Sequence, residues 1–206
     1  MRIGLLADIH ENVELLRSAV EACREQGAER FLVLGDICKD GKRLDETVQV
    51  LIENRARGVW GNHDFALCVE PDAALVSRYL PATGAFMASL TPRMEVAGYV
   101  LQHILPQFDP RSLEDLWCYR REDLPDTRGG ARACLRVGDW RVCIIGHYHR
   151  WMAATDGVPH PWDGRRELRF GSQARWVVVT GAVEDGYTAI LDTRAHTLQP
   201  LTLYVT

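Results

Sequence analysis

The sequence predicts an α/β sandwich, and two patterns support that prediction. In the first half of the chain, short apolar runs rich in β-branched residues alternate with segments of helical periodicity. This alternation is typical of parallel strands joined by crossover helices. From about residue 151 onward, short strand-like runs follow one another with Gly, Asp and Arg turns between them. We expect this last part to add antiparallel strands, either in a second sheet or at the other edge of the first.

The periodicity also gives the approximate bounds of each element. Strands are predicted at about 2–7, 30–34, 58–60, 96–102 and 141–145. Helices are predicted near 12–26 and 43–56, with shorter helices in 72–90 and 110–120. Residues 121–133 contain Pro, Gly and many charged side chains, and we predict a loop there.

Length and composition indicate one globular domain, which we assign to residues 1–206. The chain is 47% hydrophobic and 25% charged, which is enough to bury a core without a metal or disulfides. Its longest apolar runs are far shorter than the roughly twenty residues that cross a bilayer. The N-terminus resembles a first core strand rather than a signal peptide. We therefore expect a cytoplasmic protein with no membrane partner.

The cysteine pattern and the net charge exclude some kinds of structural site and binding partner. The six cysteines are scattered and form no CxxC pair, which favours free, mostly buried thiols over a zinc ribbon or a disulfide framework. The net charge is −4 and no dense basic block is present, so an extended nucleic-acid surface is not expected. A small anionic substrate would have to be attracted by metal charge. The oligomeric state cannot be read from the sequence.

Four polar clusters stand at the ends of predicted apolar strands. They are Asp8-Ile9-His10, Gly35-Asp36, Gly61-Asn62-His63-Asp64 and Gly146-His147-Tyr148-His149. In open α/β folds, residues at the carboxyl ends of strands converge in one crevice. We therefore expect these clusters to form one site.

The spacing within the clusters suggests how the donors are presented. In Asp8-Ile9-His10 and in His147-Tyr148-His149 the two donors are two residues apart, which places both on the same side of an extended backbone. We expect each pair to reach one ion without a special loop. The glycines before Asp36, Asn62 and His147 should allow tight turns and a close approach of the backbone.

The donor types indicate a metal centre. The clusters offer carboxylate oxygen, amide oxygen and imidazole nitrogen without thiolate, a set that suits Mn, Fe or Zn and argues against a structural zinc site. Seven donors are expected, namely Asp8, His10, Asp36, Asn62, His103, His147 and His149, and they are too many for one tetrahedral ion. They suit two ions about 3.5–4 Å apart that share a carboxylate, a geometry used in phosphoryl transfer.

The motifs D-x-H, G-D, G-N-H-D, a later isolated His and G-H-x-H, in this order, resemble the calcineurin-like metallophosphoesterase superfamily. The resemblance covers most of the chain and is strongest to the small bacterial phosphodiesterase-like branch. Similar segments include ADIHENVELLRSAV, GDICKDGKRLDETVQVL, HILPQFDPRSLEDLW and VVVTGAVEDGYTAILDT. The resemblance implies a two-sheet sandwich flanked by helices, with the active site at the C-terminal ends of the strands.

The resemblance also implies a role for each site residue. One metal would be held by Asp8, His10 and His149. The other would be held by Asn62, His103 and His147, with Asp36 bridging the two. His63 would contact the scissile phosphate and assist the leaving group, while a hydroxide activated by both metals attacks phosphorus. Mn is the expected ion for activity, Fe or Zn being alternatives, and no other cofactor is implied.

This chain departs from the family pattern at several positions. Glu11 stands where many relatives have Gly, and we expect it to add negative charge at the mouth of the site. Tyr148 replaces a Thr or Ser, Ile104 replaces a Gly, and Thr180-Gly181-Ala182 stands in place of Pro-Gly-Ser. The arginine-bearing motif of the Ser/Thr protein phosphatases is absent from GDICKDG, which disfavours protein phosphatase activity.

Other polar residues near the motifs remain open. Asp64 either orients His63 or caps the following helix, with capping favoured. Asp40 is an alternative partner of His63. Arg150 could contact a phosphate, although a solvated arginine is favoured, and packing is favoured for Cys38. We assign no chemistry to His160 or His196.

Three functions are consistent with these features. The leading one is a metal-dependent hydrolase of phosphoesters, with diesters favoured over monoesters. A second is a protein-docking module that keeps the fold without turnover, which the presence of His10 and His63 disfavours. A third is a nucleotide-directed hydrolase such as a dinucleoside polyphosphatase, which shares the chemistry and differs in its pocket.

Overall fold

The computed structural model describes residues 1–204 and contains two sheets of six strands each. The strands are β1 (Arg2–Leu6), β2 (Arg30–Leu34), β3 (Arg57–Val59), β4 (Arg93–Val96), β5 (Tyr99–Gln102), β6 (Val142–Ile145), β7 (Met152–Thr155), β8 (Val158–His160), β9 (Leu168–Arg169), β10 (Trp176–Val179), β11 (Tyr187–Asp192) and β12 (Thr197–Thr202).

The helices are shorter than the predicted helical segments. They are α1 (Val13–Glu25), α2 (Leu44–Glu53), α3 (Phe65–Cys68), α4 (Ala73–Val76), α5 (Pro81–Ser89), α6 (Leu113–Leu116) and α7 (Arg128–Arg136), with a 3₁₀ turn at Arg121–Asp123. Within residues 1–204, no helix has the length and apolarity that a membrane crossing requires.

Both sheets are mixed. In the first sheet the strand order is β3-β2-β1-β11-β12-β9, where β1, β2 and β3 are parallel and the other strands pair antiparallel. In the second sheet the order is β4-β5-β6-β10-β7-β8, with β5, β6 and β10 parallel. The predicted α/β sandwich is confirmed. The C-terminal strands occupy both places left open by the sequence, because β11, β12 and β9 extend the first sheet and β10, β7 and β8 extend the second. The expectation that they are all antiparallel was wrong for β10, which pairs parallel with β6.

The two sheets pack face to face, and helices cover their outer faces. Alternation along β2 shows the arrangement: Leu32 and Leu34 join the layer between the sheets, whereas Val33 faces the helical side. Helices α1 and α2 share the hydrophobic cluster on the outer face of the first sheet, and α7 shares the cluster on the outer face of the second. The layer between the sheets and the two layers under the helices therefore hold the strands, and with them the strand ends, in place.

Helix α1 begins where the first polar cluster ends. The side chain of Asn12 accepts a hydrogen bond from the Leu15 amide (3.2 Å) and caps the helix, as residues with short polar side chains commonly do. The buried face of α1 carries Val13, Leu16 and Val20 at helical spacing. The Asn12 cap therefore fixes the direction in which the chain leaves the first polar cluster.

Two predicted elements differ from the structure. The strand expected at 96–102 is a hairpin, because Ala97 and Gly98 adopt positive φ (51° and 80°) and form a two-residue turn between β4 and β5. The shorter helices expected in 72–90 and 110–120 are present, as α4 and α5 in the first range and as α6 in the second.

The loop predicted at 121–133 is wrong over its second half, where α7 forms. Thr127 caps that helix by accepting a hydrogen bond from the Gly130 amide (3.0 Å). Burial of Ala131, Cys134 and Leu135 against the second sheet outweighs the low helix propensity of the two glycines at its start.

Candidate metal centre

The predicted site residues lie together at the carboxyl ends of the parallel strands. Strands β1, β2, β3 and β6 end two or three residues before Asp8, Asp36, Asn62 and His147, respectively, and β5 ends directly before His103. The structure brings all seven predicted donors into one cluster, at the edge that the strand-end rule indicates.

Backbone conformation presents five of the seven donors. Asp8, His10, Asp36, His147 and His149 all have positive φ, between 47° and 69°. Non-glycine residues rarely adopt this region, and such residues concentrate at functional sites. The expectation of an extended backbone was therefore wrong, because the strands end before the motifs and special loops carry the donors.

Two glycines permit the close approach of these loops. A β-carbon on Gly35, whose φ is 93°, would lie 2.4 Å from the Nδ1 atom of His103. A β-carbon on Gly61 would lie 2.1 Å from a carboxylate oxygen of Asp36. Both distances are shorter than any real contact, so the loops can approach this closely only because these two residues are glycines.

A first group of ligand atoms comes from Asp8, His10 and His149, which each place one such atom within 4.8 Å of the others. The Nε2 atoms of His10 and His149 are 3.2 Å apart. Both carboxylate oxygens of Asp8 accept hydrogen bonds from the His147 amide, at 2.9 and 3.0 Å. These bonds hold the Asp8 carboxylate against the loop after β6.

A second group comes from Asp36, His103 and His147, again within 4.8 Å. The Asn62 side-chain oxygen lies 3.0 Å from both His103 Nε2 and His147 Nδ1. Nδ1 of His103 donates to the Leu34 carbonyl oxygen (2.7 Å), which turns its Nε2 atom towards Asn62 and His147. Three donor atoms thus converge on one point.

Asp36 lies between the two groups. Its Oδ2 atom is 3.7 Å from His10 Nε2 and 3.4 Å from His103 Nε2. Its other oxygen accepts a hydrogen bond from the His63 amide (3.0 Å), which fixes the orientation of the carboxylate. One oxygen therefore faces both groups at once.

Electrostatics favour positive charge at this point. Burial raises the pKa of Asp8 to about 7 and lowers the pKa of His147 to about 3. Burial alone would also lower the pKa of His103, but the Asp36 carboxylate outweighs it and raises that pKa to about 9. Burial would raise the pKa of Asp36, yet attraction to His103 holds it below its usual range. The buried carboxylates thus stabilise a cation beside them.

The donor chemistry fits divalent cations. The cluster contains two carboxylates, one amide oxygen and four imidazoles, and Nε2 of His103 and Nδ1 of His147 face its interior. Such oxygen and nitrogen donors bind Mn, Fe or Zn. The described residues therefore fit a metal-dependent site.

Residues 1–194 match the family model described as the calcineurin-like phosphoesterase superfamily domain. The chain belongs to this superfamily. It is therefore a metal-dependent hydrolase of phosphoric esters, and the resemblance drawn from the motifs is confirmed.

Two solved structures share the fold. A metallophosphoesterase from Sphaerobacter thermophilus superposes with a TM-score of 0.78 at 21% identity, covering 100% of this chain and 89% of that chain. The hypothetical protein PH1004 from Pyrococcus horikoshii OT3 gives a TM-score of 0.69 at 14% identity, covering 100% and 88%.

One curated relative is similar over part of its sequence. The uncharacterized protein MJ0912 of Methanocaldococcus jannaschii is 27% identical over 77 residues, which are 37% of this chain and 32% of that protein. The similarity thus spans about a third of that relative's length.

His63 lies beside the phosphoesterase ligand groups and is partly exposed. Its ring is 4.9 Å from the ring of His10 and 5.1 Å from the ring of Trp117. It also forms a third possible ligand group with His10 and Asp36. Its position is consistent with contact to a substrate phosphate or to a metal.

The structure corrects the expectation for Glu11. Its side chain is buried, and its carboxylate accepts hydrogen bonds from the amides of Lys39 (2.9 Å), Gly41 (2.6 Å) and Arg43 (2.8 Å). Glu11 therefore holds the loop between β2 and α2 and adds no free charge at the mouth of the site.

Asp64 stands at the N-cap position of α3, but its side chain forms no hydrogen bond to that helix or to the His63 side chain. Its carboxylate accepts hydrogen bonds from the amides of Ile37 (3.0 Å), Cys38 (2.9 Å) and Gly61 (3.0 Å), and no side-chain cap of α3 forms. The favoured capping interpretation was wrong. Asp64 ties the loop after β2 to the loop after β3.

Three other residues near the motifs have identifiable contacts. Asp40 pairs with Lys42 rather than with His63. Cys38 is buried, as expected, with its thiol 3.4 Å from Glu11. Arg150 is exposed and donates to the Tyr119 hydroxyl at 3.3 Å.

Sequence reasoning missed one polar partner of the metal centre. The Asp185 carboxylate accepts a hydrogen bond from Nδ1 of His149 (3.1 Å), which directs the other ring nitrogen at His10. A carboxylate behind a ligating histidine is a common arrangement in metal sites. The only sequence signal was an acidic pair, Glu184-Asp185, in a turn before β11.

Proposed function

We propose that this phosphoesterase binds two divalent cations and prefers phosphodiesters. One cation would be held by Asp8, His10 and His149. The other would be held by Asn62, His103 and His147, with Asp36 shared between them.

The observation that carries this proposal is the position of Asp36 Oδ2 between the two ligand groups, 3.7 Å from His10 Nε2 and 3.4 Å from His103 Nε2. Cations in such a donor set lower the pKa of coordinated water and offset the charge of a phosphate. The choice of Mn as the activating ion rests on the oxygen and nitrogen donors, which accept several metals.

The chain's own residues would do the remaining work. His63 stands beside the ligand groups with part of its ring exposed, so it is placed to contact a phosphate and to protonate the departing oxygen. We assign His63 to the substrate because its two possible co-ligands, His10 and Asp36, already serve the other groups. Asp185 would keep the His149 ring in one orientation.

Preference for diesters is supported by the openness of the site. The side chains of His149 and Asp185 are 33% and 46% exposed, which leaves the second ester group of a diester a path to solvent. The exposed Asp185 carboxylate also repels a doubly charged monoester more strongly than a singly charged diester.

The test is hydrolysis of bis(p-nitrophenyl) phosphate and p-nitrophenyl phosphate by protein loaded with Mn. We expect faster turnover of the diester, loss of activity with a chelator, and recovery when Mn is restored. His63→Ala should lose most activity while keeping the wild-type metal content. Loss of metal from that variant would indicate that His63 is a metal ligand. Unchanged activity would contradict its proposed role in contacting the phosphate and protonating the departing oxygen.

A protein-docking function without turnover is the other outcome of the same experiment. A metal-loaded wild-type protein that hydrolyses none of a broad panel of phosphoesters would favour it.

A further inference from the structure

An aromatic surface of unassigned role stands beside the candidate metal centre. Trp117 and Tyr119 are 56% and 57% exposed, and Leu113, 47% exposed, lies in the same short stretch. Large apolar side chains exposed close together indicate a binding site more often than single exposed ones do. We call Trp117 and Tyr119 the aromatic pair.

The aromatic pair flanks both ligand groups. Trp117 contacts His63 (ring centroids 5.1 Å apart), and His63 contacts His10 (4.9 Å). Tyr119 contacts Tyr148 (5.7 Å), whose ring stands edge-on to His147 (4.7 Å). Each exposed ring is thus separated from a candidate metal ligand by one intervening ring.

The backbone holds the aromatic pair in place. Leu116, directly before Trp117, is completely buried, and Leu124 is buried after it. The Trp60 indole donates to the Pro110 carbonyl (2.9 Å), and Ser112 caps α6 by accepting from the Asp115 amide (3.2 Å). The segment is therefore anchored on both sides while the two rings project outward.

A charged group completes this surface. Arg150 follows His149 in the chain, and its guanidinium donates to the Tyr119 hydroxyl at 3.3 Å. A cation at the end of an aromatic surface suits a ligand that combines a flat ring with a negative phosphate. Neither an apolar lipid nor a sugar phosphate would use all three side chains.

We propose that the aromatic pair stacks on a planar aromatic ring of the substrate, so that the physiological ester carries a nucleobase or an aryl group. This inference rests on the proposed function, because the phosphate must lie at the metal centre for its ring to reach Trp117. A ring stacked on an aromatic side chain commonly strengthens binding by about tenfold or more, and different bases stack in the same way.

The test compares phosphate monoesters with and without an aromatic ring. Adenosine 5′-monophosphate, phenyl phosphate and ribose 5-phosphate are titrated by calorimetry into the Mn-loaded protein, with released phosphate measured to correct for turnover. We expect adenosine monophosphate or phenyl phosphate to bind about tenfold more tightly than ribose 5-phosphate. A preference for the first indicates a nucleobase, and a preference for the second indicates an aryl ester.

Variants separate stacking from general damage. Trp117→Ala should remove the advantage of the ring and leave ribose 5-phosphate binding unchanged, whereas Trp117→Phe should keep most of it. Tyr204→Ala is the matched control, because Tyr204 is 78% exposed and lies beside α1. Equal weakening of all three ligands, or no change in any, would overturn the proposal.

The two proposals can fail separately. The proposed function depends on metal-dependent turnover of a chromogenic ester. The aromatic pair is tested by a difference in binding between ligands with and without a ring, which requires no turnover.

Discussion

Oδ2 of Asp36 lies 3.4 Å from Nε2 of His103, and both side chains are almost completely buried. A buried carboxylate so close to an imidazole is stable only if positive charge is present, either as a proton on the ring or as a cation between the groups. The same carboxylate oxygen faces His10 from the other ligand group. This relationship makes Asp36 the centre of the proposed mechanism.

Asp36→Asn should reduce hydrolysis of the chromogenic diester by at least about a hundredfold, because an amide oxygen cannot balance two cations. Bound metal should fall in the same variant. Asp40→Asn is the matched control, since Asp40 lies on the same loop and is exposed. Equal activity of the two variants would show that Asp36 is not shared by two metals.

Asp185→Ala should weaken metal binding by about 10–100-fold, because His149 loses the acceptor that fixes its ring. The measurement is the Mn concentration that restores half of the activity to metal-free protein. Asp163→Ala, which removes an exposed carboxylate paired with Arg165, should leave that concentration unchanged. An unchanged value for Asp185→Ala would remove Asp185 from the metal site.

Glu11→Ala should destabilise the metal-free protein by about 2–4 kcal/mol, since three backbone amides lose their charged acceptor. The free energy of unfolding can be measured by urea denaturation. Glu21→Ala, an exposed change on α1, should stay within about 0.5 kcal/mol of wild type. If both variants were equally stable, Glu11 would not hold the loop between β2 and α2.

Metal-free protein should lose stability as the pH rises from about 6.5 to 9. The pKa of His103 is raised from 6.5 to about 9, so its stabilising contribution is complete below pH 6.5 and is lost as the pH rises through 9. The pKa of Asp8 is raised from 3.8 to about 7, so its contribution also lowers stability as the pH rises, but between pH 3.8 and about 7. The pKa of His147 is lowered from 6.5 to about 3, so its contribution increases stability as the pH rises, but only below pH 6.5.

Thermal melting from pH 6 to 9, with and without Mn, tests this prediction. A bound cation replaces the proton on His103, and its affinity rises as protons leave its ligands. The difference in Tm between loaded and metal-free protein should therefore widen with pH. A metal-free Tm that stays constant or rises over this range would contradict the assignment.

The convergence of the donors was predictable because strand ends meet at one edge of a parallel sheet. Asp8, Asp36 and His147 each follow an apolar run, so the location of the site follows from chain order alone. The left-handed backbone at these residues was not predictable, since it depends on pairing between loops, such as the bond from the Ile9 amide to the Asp36 carbonyl (2.8 Å).

Contacts between distant segments account for most of the remaining differences. Glu11 contacts residues 38–43, and Asp185 contacts His149, and neither pairing leaves a periodic signal in the sequence. The hairpin turn at Ala97-Gly98 was missed because Ala seldom adopts positive φ. Helix α7 was missed because its stability comes from burial against the second sheet rather than from its own propensity.

The most direct test of the account is the number and coupling of the metals in wild-type protein. Metal-free protein titrated with Mn should bind two equivalents per chain, and its electron paramagnetic resonance spectrum should show exchange coupling between two ions that share Asp36. One equivalent per chain, or two ions without coupling, would contradict the shared carboxylate on which the proposed function rests.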